Sequence, residues 1–457
     1  MTLIIVLLLL LSYLLIATTH LTGVNKAAIS IFLAAIGWVV YIIWGADFVM
    51  DMHPGAYAAF LDGNAATSER VKSFISDSVF LKYVGKAAAV VMYLLATMSV
   101  IEILNNNGCF DFISEWIRTR NSKRLLWTIT LATFILSANI DNLTTTIVML
   151  VIMRNYVKSR PQRMLIGSAI VLAAVCGGCF TVIGDPTGLI LWGNEAVTAT
   201  DFSSYLALPS IVAWVVPTIL INRQLPDRLD VDWGMAPYRG DDTRLNRWQR
   251  LLMFVVGIGG LWFVPTFLSI THLPAFLGAL VVLALLWVVN EAFNRKLMNA
   301  DQMSHRRIPR VIQYEAIQQM LFVMGIMLGL GVVSETGVFT DVADWIDNTI
   351  GNLWVVGIIS GLLSSLVDSF TIAASGISLY DVWSAGDYAQ NGIYWKVIAY
   401  STAVGGCLLS VGSVCGLALM KMEHIHFGWY VKNVSLNVFL GWTLGLGVLF
   451  AEVMLYP

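Results

Sequence analysis

The chain has 457 residues, of which 58% are hydrophobic and 12% are charged. Soluble proteins carry about 25% charged residues, so the composition excludes an ordinary soluble domain and indicates a protein that crosses a membrane many times. The formal net charge of −2, with no basic tail, argues against nucleic acid as a partner.

Ten segments are apolar and long enough for a spanning helix, which needs about 20 residues. The predicted spans are 2–19, 25–44, 84–104, 164–192, 204–222, 250–271, 274–293, 316–335, 394–420 and 433–455. No Lys or Arg precedes the first, which is therefore predicted to be a span and not a secretory signal. We predict an all-α polytopic membrane protein.

Two further apolar stretches, at about 125–153 and 353–380, are each interrupted in the middle by a Ser-x-x-x-Asp block. The halves on either side are too short to cross a membrane singly. We therefore expect each stretch to form a re-entrant helical hairpin. Its polar tip has to be surrounded by protein or water, because irregular backbone is not tolerated against lipid.

Two of the spans, 164–192 and 394–420, contain another kind of interruption. The first carries Gly184-Asp185-Pro186-Thr187-Gly188, and the second carries Gly412-Ser413-Val414-Cys415-Gly416. Two glycines four positions apart, with a proline between them in the first copy, do not keep a helix regular. Each span is predicted to break at mid-membrane depth, where free carbonyls and helix ends can coordinate ions.

These interruptions are repeated. The Ser-x-x-x-Asp block, a Gly-Gly-Cys block before each break and a Gly-x-Phe block before each hairpin occur twice in one order, 227 to 229 positions apart. The pattern predicts a first repeat at 1–222, a linker at 223–249 and a second repeat at 250–457. An amphipathic arm, Phe110–Ile117 or Phe339–Ile346, is predicted to lie at the membrane surface before each hairpin.

The basic residues predict the orientation of both repeats. Lys and Arg flank the first hairpin and fill the linker, whereas none occurs from Val311 to Trp395 around the second hairpin. The positive-inside rule places the ends of the first hairpin in the cytoplasm and those of the second outside, with both termini outside. Five spans and one hairpin per repeat make the repeats inverted, which is typical of alternating-access transporters.

The hairpin tips and helix breaks contribute oxygen ligands, which hard cations prefer. The candidate cation- and proton-binding residues are Asp141, Asn142, Thr144, Asp185, Thr187, Ser364, Asp368, Ser369, Ser410, Ser413 and Glu102. Asp141, Asp185 and Asp368 are predicted to bind the metal cation itself. No Lys or Arg lies at 125–153 or 165–221, so a cationic substrate is favoured over an anionic one.

Each carboxylate also has a purely structural explanation. A single aspartate at a helix end is often only a cap, but three at equivalent interruptions of a repeat argue for a function in the membrane. Glu102 is equally well explained as an interfacial residue beside Asn105–Asn107.

The same carboxylates predict a coupling mechanism. Burial and a neighbouring carboxylate favour the protonated form of an aspartate, whereas a bound cation favours the charged form. One cluster can then hold protons or a cation, but not both fully. If the cluster faces the two sides of the membrane in turn, this competition is a minimal antiport mechanism.

The motifs resemble those of NhaD-type sodium/proton antiporters of the ion-transporter superfamily. The resemblance rests on Ser137-Ala138-x-x-Asp141-Asn142-x-Thr144-Thr145-Thr146, on Ile183-Gly184-Asp185-x-Thr187, and on Ser364-x-x-Val367-Asp368. It implies a secondary transporter and not an enzyme, with no cofactor. The implied substrates are Na⁺ or Li⁺ and H⁺, and the implied location is the plasma (inner) membrane, as a homodimer. It also implies functional roles for Glu102, Ser410 and Ser413.

Three alternatives remain open. A sodium-coupled di- or tricarboxylate (citrate-like) symporter uses the same scaffold, although Asp141 and Asp368 at the hairpin tips argue against it. An intramembrane aspartyl protease also needs two membrane aspartates, but its Gly-x-Gly-Asp motif lacks the first glycine before Asp185. An ion-binding sensor that does not transport has the same site residues.

Overall fold

The computed structural model describes residues 1–110, 119–231, 245–294 and 310–455. In these ranges the regular structure is helical, and β-structure is limited to isolated bridges. The helices there that are long and apolar enough to cross a membrane number eight: Lys26–Trp44, Ser68–Asn106, Arg160–Cys179, Ala199–Asn222, Arg247–Thr271, Ala275–Phe293, Ala316–Ser334 and Phe427–Leu455. The prediction of an all-α polytopic membrane protein is confirmed.

The N-terminal helices are α1 (Thr2–Ala17), α2 (Lys26–Trp44) and α3 (Ser68–Asn106). Short helices lie in the connections, at Thr19–Thr22, Ala46–Met52 and Pro54–Leu61. Helix α1 has only 16 residues and is shorter than an ordinary span. The side chain of Asn25 accepts a hydrogen bond from the Ala27 amide, which fixes the start of α2 directly at Lys26.

The first predicted hairpin consists of α4 (Ser122–Ser137) and α5 (Asn142–Tyr156), joined by a non-helical tip. Helices α6 (Arg160–Cys179), α7 (Pro186–Gly193) and α8 (Ala199–Asn222) follow. The predicted span 164–192 is therefore interrupted between Cys179 and Pro186. The described start of the linker crosses the base of the hairpin, where Asn121 pairs with Arg228 and Val157 pairs with Val231.

The C-terminal part begins with α9 (Arg247–Thr271), α10 (Ala275–Asn294), α11 (Arg310–Ser334) and α12 (Val338–Thr349). The second predicted hairpin consists of α13 (Leu353–Leu366) and α14 (Ser369–Leu379). Helices α15 (Ile393–Gly405), α16 (Val414–Glu423) and α17 (Phe427–Leu455) complete the chain, so the predicted span 394–420 is also interrupted.

Two predicted segments, the first arm and the linker, fall partly on residues outside the described ranges. Of the arm Phe110–Ile117, only Phe110 is described, and it is buried. The other arm, Phe339–Ile346, lies within α12, which buries Ala343 and exposes Trp345. The linker 223–249 is described up to Val231 and from Leu245, and α9 already begins at Arg247 within it.

The helices pack as two groups. In one group, α2 and α3 pack against α11, and α3 packs against α10. In the other group, α4 and α5 pack against α6, and α13 and α14 pack against α15. The helix after each break packs on the hairpin of the other half of the chain: α7 contacts α14, and α16 contacts α5. This arrangement brings both hairpin tips and both helix breaks into one part of the molecule.

Equivalent contacts hold each hairpin to its interrupted helix. The Ser137 hydroxyl donates to the Ala174 carbonyl and the Ser364 hydroxyl donates to the Thr402 carbonyl, both at 2.5 Å. At each break a glycine lies against the end of the first hairpin helix. A Cβ on Gly184 would be 2.6 Å from the carbonyl oxygen of Ser137, and one on Gly412 would be 2.5 Å from that of Ser364. Only glycine permits this approach.

A glycine inside α15 provides a test of this packing. A Cβ at Gly405 would lie 2.6 Å from the Gly361 carbonyl oxygen of α13, so Gly405→Ala should cost about 1–3 kcal/mol through overpacking. The control is Gly329→Ala in α11, where the nearest atom would be 3.7 Å away and alanine should be tolerated. Melting temperatures of the purified proteins in detergent should fall for Gly405→Ala only. Equal melting temperatures would contradict the close packing of α13 on α15.

Candidate ion-binding site

Asp141 ends the tip of the first hairpin and caps the N-terminus of α5. Its Oδ2 atom accepts hydrogen bonds from the Thr144 amide at 3.0 Å and from the Thr144 hydroxyl at 3.2 Å. Its Oδ1 atom is buried and has no hydrogen-bond partner among the described residues. The capping bonds therefore orient one carboxylate oxygen and leave the other for a ligand.

Asp185 caps α7 in the same manner, directly before Pro186. Its Oδ2 atom accepts a hydrogen bond from the Thr187 amide at 3.0 Å, and its Oδ1 atom accepts one from the Asn142 side chain at 2.6 Å. The backbone amide of Asn142 in turn donates to the Gly184 carbonyl at 3.2 Å. Asn142 therefore links the tip of the first hairpin to the first helix break.

Asp368 caps α14 at the tip of the second hairpin and is completely buried. Its Oδ1 atom accepts hydrogen bonds from the amides of Phe370 and Thr371 at 3.0 and 3.3 Å. Its Oδ2 atom forms an ion pair with the ammonium group of Lys26 at 2.8 Å. Asp185 interacts electrostatically with Asp141 and with Asp368, so the three carboxylates form a connected series.

A positive charge reaches the site from another part of the chain. The two stretches considered in the sequence contain no Lys or Arg, but Lys26 reaches Asp368 from the start of α2. The side chain of Lys26 is only 11% exposed. In the sequence, Lys26 stands at the edge of a predicted span, where a lysine is normally taken to lie at the membrane surface.

The predicted serine ligands lie around the second tip and the second break. Ser369 approaches Gly406, and the Ser364 hydroxyl donates its proton to a backbone carbonyl. The Ser410 hydroxyl lies 2.9 Å from the sulfur of Met420, and Ser413 hydrogen-bonds the Cys407 thiol. The structure thus brings the four serines to the second tip and the second break, where the hydroxyl groups of Ser364, Ser410 and Ser413 contact neighbouring groups.

Glu102 lies apart on α3. It is half-buried, and α3 packs mainly against α10 and α11 with a smaller contact to α7. Its predicted role as a functional carboxylate remains a prediction.

The three aspartates do not converge on one point. Among the described residues, no group of three or more His, Cys, Asp or Glu side chains is placed to hold a single metal ion. A cation bound here would therefore be held by one or two carboxylates together with neutral oxygens. Further hydroxyl groups, those of Thr145 and Thr371, are buried without hydrogen-bond partners in the described ranges.

Cavities lie at both ends of α14. A cavity of about 530 Å³ reaches Lys26 near the N-terminal end of α14, between α2, α11 and α16. A second cavity of about 430 Å³ lies toward the C-terminal end of α14, where Ser378, Asp381 and Lys86 line it. The buried aspartate series is thus flanked by two separate spaces that water can enter.

The chain matches the model of a family described as "Citrate transporter" over residues 1–405. It is 32% identical to "Sodium/proton antiporter 1" of Arabidopsis thaliana over 435 residues, which cover 93% of this chain and 68% of that protein. The chain therefore belongs to the family described as "Citrate transporter".

Two further sodium/proton antiporters are also similar to this chain. "Na(+)/H(+) antiporter NhaD" of Vibrio cholerae is 25% identical over 391 residues, which cover 77% of this chain and 78% of that protein. "Sodium/proton antiporter 2" of Arabidopsis thaliana is 31% identical over 362 residues, covering 79% and 84%. These relatives confirm the resemblance to NhaD-type sodium/proton antiporters.

The bond from Asn142 to Asp185 yields a test of the site. It favours the charged form of Asp185, the form that a cation needs, and a hydrogen bond to a charged group contributes about 1.5–3 kcal/mol. If Na⁺ binds at Asp185, Asn142→Ala should therefore raise the Na⁺ concentration for half-maximal thermal stabilisation about tenfold or more. The control, Asn433→Ala in α17, removes a side-chain bond to the Trp429 carbonyl and should leave that concentration unchanged. Equal responses of the two variants would contradict a site at Asp185.

Proposed function

We propose that the protein exchanges Na⁺ or Li⁺ for H⁺ across the plasma membrane, and that protons and the cation compete for Asp141 and Asp185. The observation that carries the proposal is the buried pair of helix-capping carboxylates bridged by Asn142, with Asp141 Oδ1 lacking a partner among the described residues. The names of the sodium/proton antiporter relatives support the same reaction.

The competition follows from burial. A carboxylate without a counter-ion is costly in a poorly hydrated interior, so it is neutralised either by a proton or by a metal cation. Proton binding needs one free oxygen, which Asp141 offers. Na⁺ binding needs several oxygens, and the neighbouring hydroxyl groups of Thr144 and Thr145 supply neutral ones beside that carboxylate. Each bound species excludes the other.

The proposed transport cycle is alternating access between inverted repeats. The equivalent contacts of the two hairpins with their interrupted helices support a duplicated transport unit, and the cavities at both ends of α14 support access from two sides. In this proposal the hairpins and interrupted helices move relative to α2, α3, α10 and α11. A homodimer remains a prediction from the resemblance.

Sodium-coupled citrate symport is the second candidate, because the matching family model is described as "Citrate transporter". An anionic substrate would need free helix N-termini or an unpaired positive charge. The N-termini of α5, α7 and α14 are each capped by the protein's own aspartate, that of α16 has no side-chain cap, and Lys26 is paired with Asp368. Three of the four helix N-termini at the interruptions are thus occupied by a carboxylate, which favours the cation exchanger.

Inside-out vesicles with an acidic lumen test the proposed reaction. Added Na⁺ or Li⁺ should raise the lumenal pH, measured by dye fluorescence, because cation entry drives protons out. Asp141→Asn and Asp185→Asn should abolish the response, since asparagine can accept the capping bond but carries no charge. The control Asp77→Asn changes an exposed aspartate of α3 and should retain full activity.

The same vesicles separate the two candidate functions. Uptake of radiolabelled citrate that requires Na⁺, without any pH response to Na⁺ or Li⁺, would refute the antiporter and establish the symporter. A pH response that survives both aspartate substitutions would show that exchange takes place at another site.

The proposed topology is tested by thiol labelling from outside the cell. The native cysteines Cys109, Cys176, Cys179, Cys407 and Cys415 are all buried, so the wild-type protein provides the background. We expect an impermeant maleimide to label Asn64→Cys, between α2 and α3, in intact cells. We expect it to label His426→Cys, before α17, only after permeabilisation. Labelling of both from one side would contradict the predicted orientation.

A further inference from the structure

Asp368 differs from the other two carboxylates in the group that neutralises its charge. Its Oδ1 atom accepts two backbone amide bonds, and its Oδ2 atom is bound by Lys26 at 2.8 Å. In contrast, Asp141 and Asp185 have no Lys or Arg ion pair among the described residues. The ammonium group of Lys26 is thus the cation that neutralises Asp368.

The Lys26 side chain has room to leave this position. It borders the 530 Å³ cavity together with the amides of Gln318 and Gln319, which can hydrogen-bond an ammonium group or its water. Its ammonium group lies 5.9 Å from the centre of the Phe322 ring. A lysine has a flexible four-carbon stem and a compact, strongly hydrated charge, so it can withdraw into a wet cavity.

A transported cation and Lys26 oppose one another electrostatically. Asp185 interacts electrostatically with Asp368, so a cation at Asp185 and the Lys26 ammonium group act on the same carboxylate. Like charges repel more strongly in a poorly hydrated interior than in water. Cation binding therefore weakens the ion pair, and by linkage the ion pair weakens cation binding by the same factor.

The ion pair also crosses the boundary between the two groups of helices. Lys26 begins α2, which packs against α11, whereas Asp368 is the tip of the hairpin that packs against α15. A movement of the hairpins that carries Asp368 beyond the reach of the Lys26 side chain breaks the 2.8 Å contact.

We propose that Lys26 is an internal competitor of the transported cation: its ammonium group neutralises Asp368 while the site is free of Na⁺ and leaves Asp368 when Na⁺ binds. Lys26 is thereby a residue that sets the apparent affinity for Na⁺. The inference rests on the proposed Na⁺/H⁺ exchange, to which it adds a specific residue and a direction of effect.

The test compares the purified full-length wild type with Lys26→Gln and Lys26→Arg. The readouts are the Na⁺ concentration for half-maximal thermal stabilisation at alkaline pH, where proton competition is weak, and that for half-maximal antiport in vesicles. Lys26→Gln keeps a donor for Asp368 without the charge, so both concentrations should fall about fivefold or more, the lower end of typical coupling between sites. Lys26→Arg keeps the charge, so its values should equal or exceed those of the wild type.

The matched control is Lys421→Gln, which removes a positive charge from the lining of the same cavity. It should leave the half-maximal Na⁺ concentration within twofold of the wild type. A fall as large as that of Lys26→Gln would overturn the proposal, because general charge in the cavity would then explain the effect.

Two further results would overturn the proposal. The first is an unchanged half-maximal Na⁺ concentration in folded Lys26→Gln. The second is failure of both Lys26→Gln and Lys26→Met to fold, because a contact that opens in each cycle cannot be indispensable for folding. If the wild type itself shows neither Na⁺ stabilisation nor antiport, the proposed function fails first. If the wild type responds and only the Lys26 predictions fail, the proposed function stands.

Discussion

The structure depends on one constraint: backbone that is not helical inside a membrane must have its polar groups satisfied by the protein. Two hairpin tips and two helix breaks create many such groups. Three aspartates satisfy part of them by capping α5, α7 and α14, and the glycines at the breaks let carbonyls of the neighbouring hairpin approach closely. Charged residues are thus present in the apolar interior first because the interrupted helices need caps.

Because the caps are charged carboxylates, the three aspartates can also bind a ligand. The capping bonds fix the position of each carboxylate through the backbone, so a ligand meets oxygens that are already oriented. The carboxylates then differ in what neutralises them. Asp141 keeps one unbonded oxygen among the described residues, Asp185 is bound by Asn142, and Asp368 is bound by Lys26. The repeated Ser-x-x-x-Asp motif therefore supplies two aspartates, Asp141 and Asp368, with different charge partners, although the repeat alone predicts equivalent ones.

The sequence predicts the parts of the site that are local. Glycine, proline and aspartate within apolar segments mark the interruptions, and the helices indeed end or begin at Ser137, Cys179, Pro186 and Ser369. Contacts between distant segments could not be predicted in this way. Lys26 and Asp368 are 342 positions apart, and His53 and Glu335, which pair at 2.7 Å, are 282 apart. Neither a lysine at the edge of a span nor a histidine in a connection carries a local signal that identifies its partner.

The double role of the aspartates determines what a substitution can reveal. Alanine at Asp141 would remove both the cap and the charge, and a lost cap costs about 1 kcal/mol in a helix end, so loss of transport would not identify the cause. Asparagine keeps an oxygen that can accept the Thr144 amide bond and removes only the charge. At Asp368 the same change has a further consequence, because it leaves the buried Lys26 ammonium group without its counter-ion. Lys26 then has to withdraw into the neighbouring cavity, so Asp368→Asn should change the position of Lys26 as well as the charge at the tip, whereas Asp141→Asn changes only the charge, even though both residues occupy the same place in the repeat.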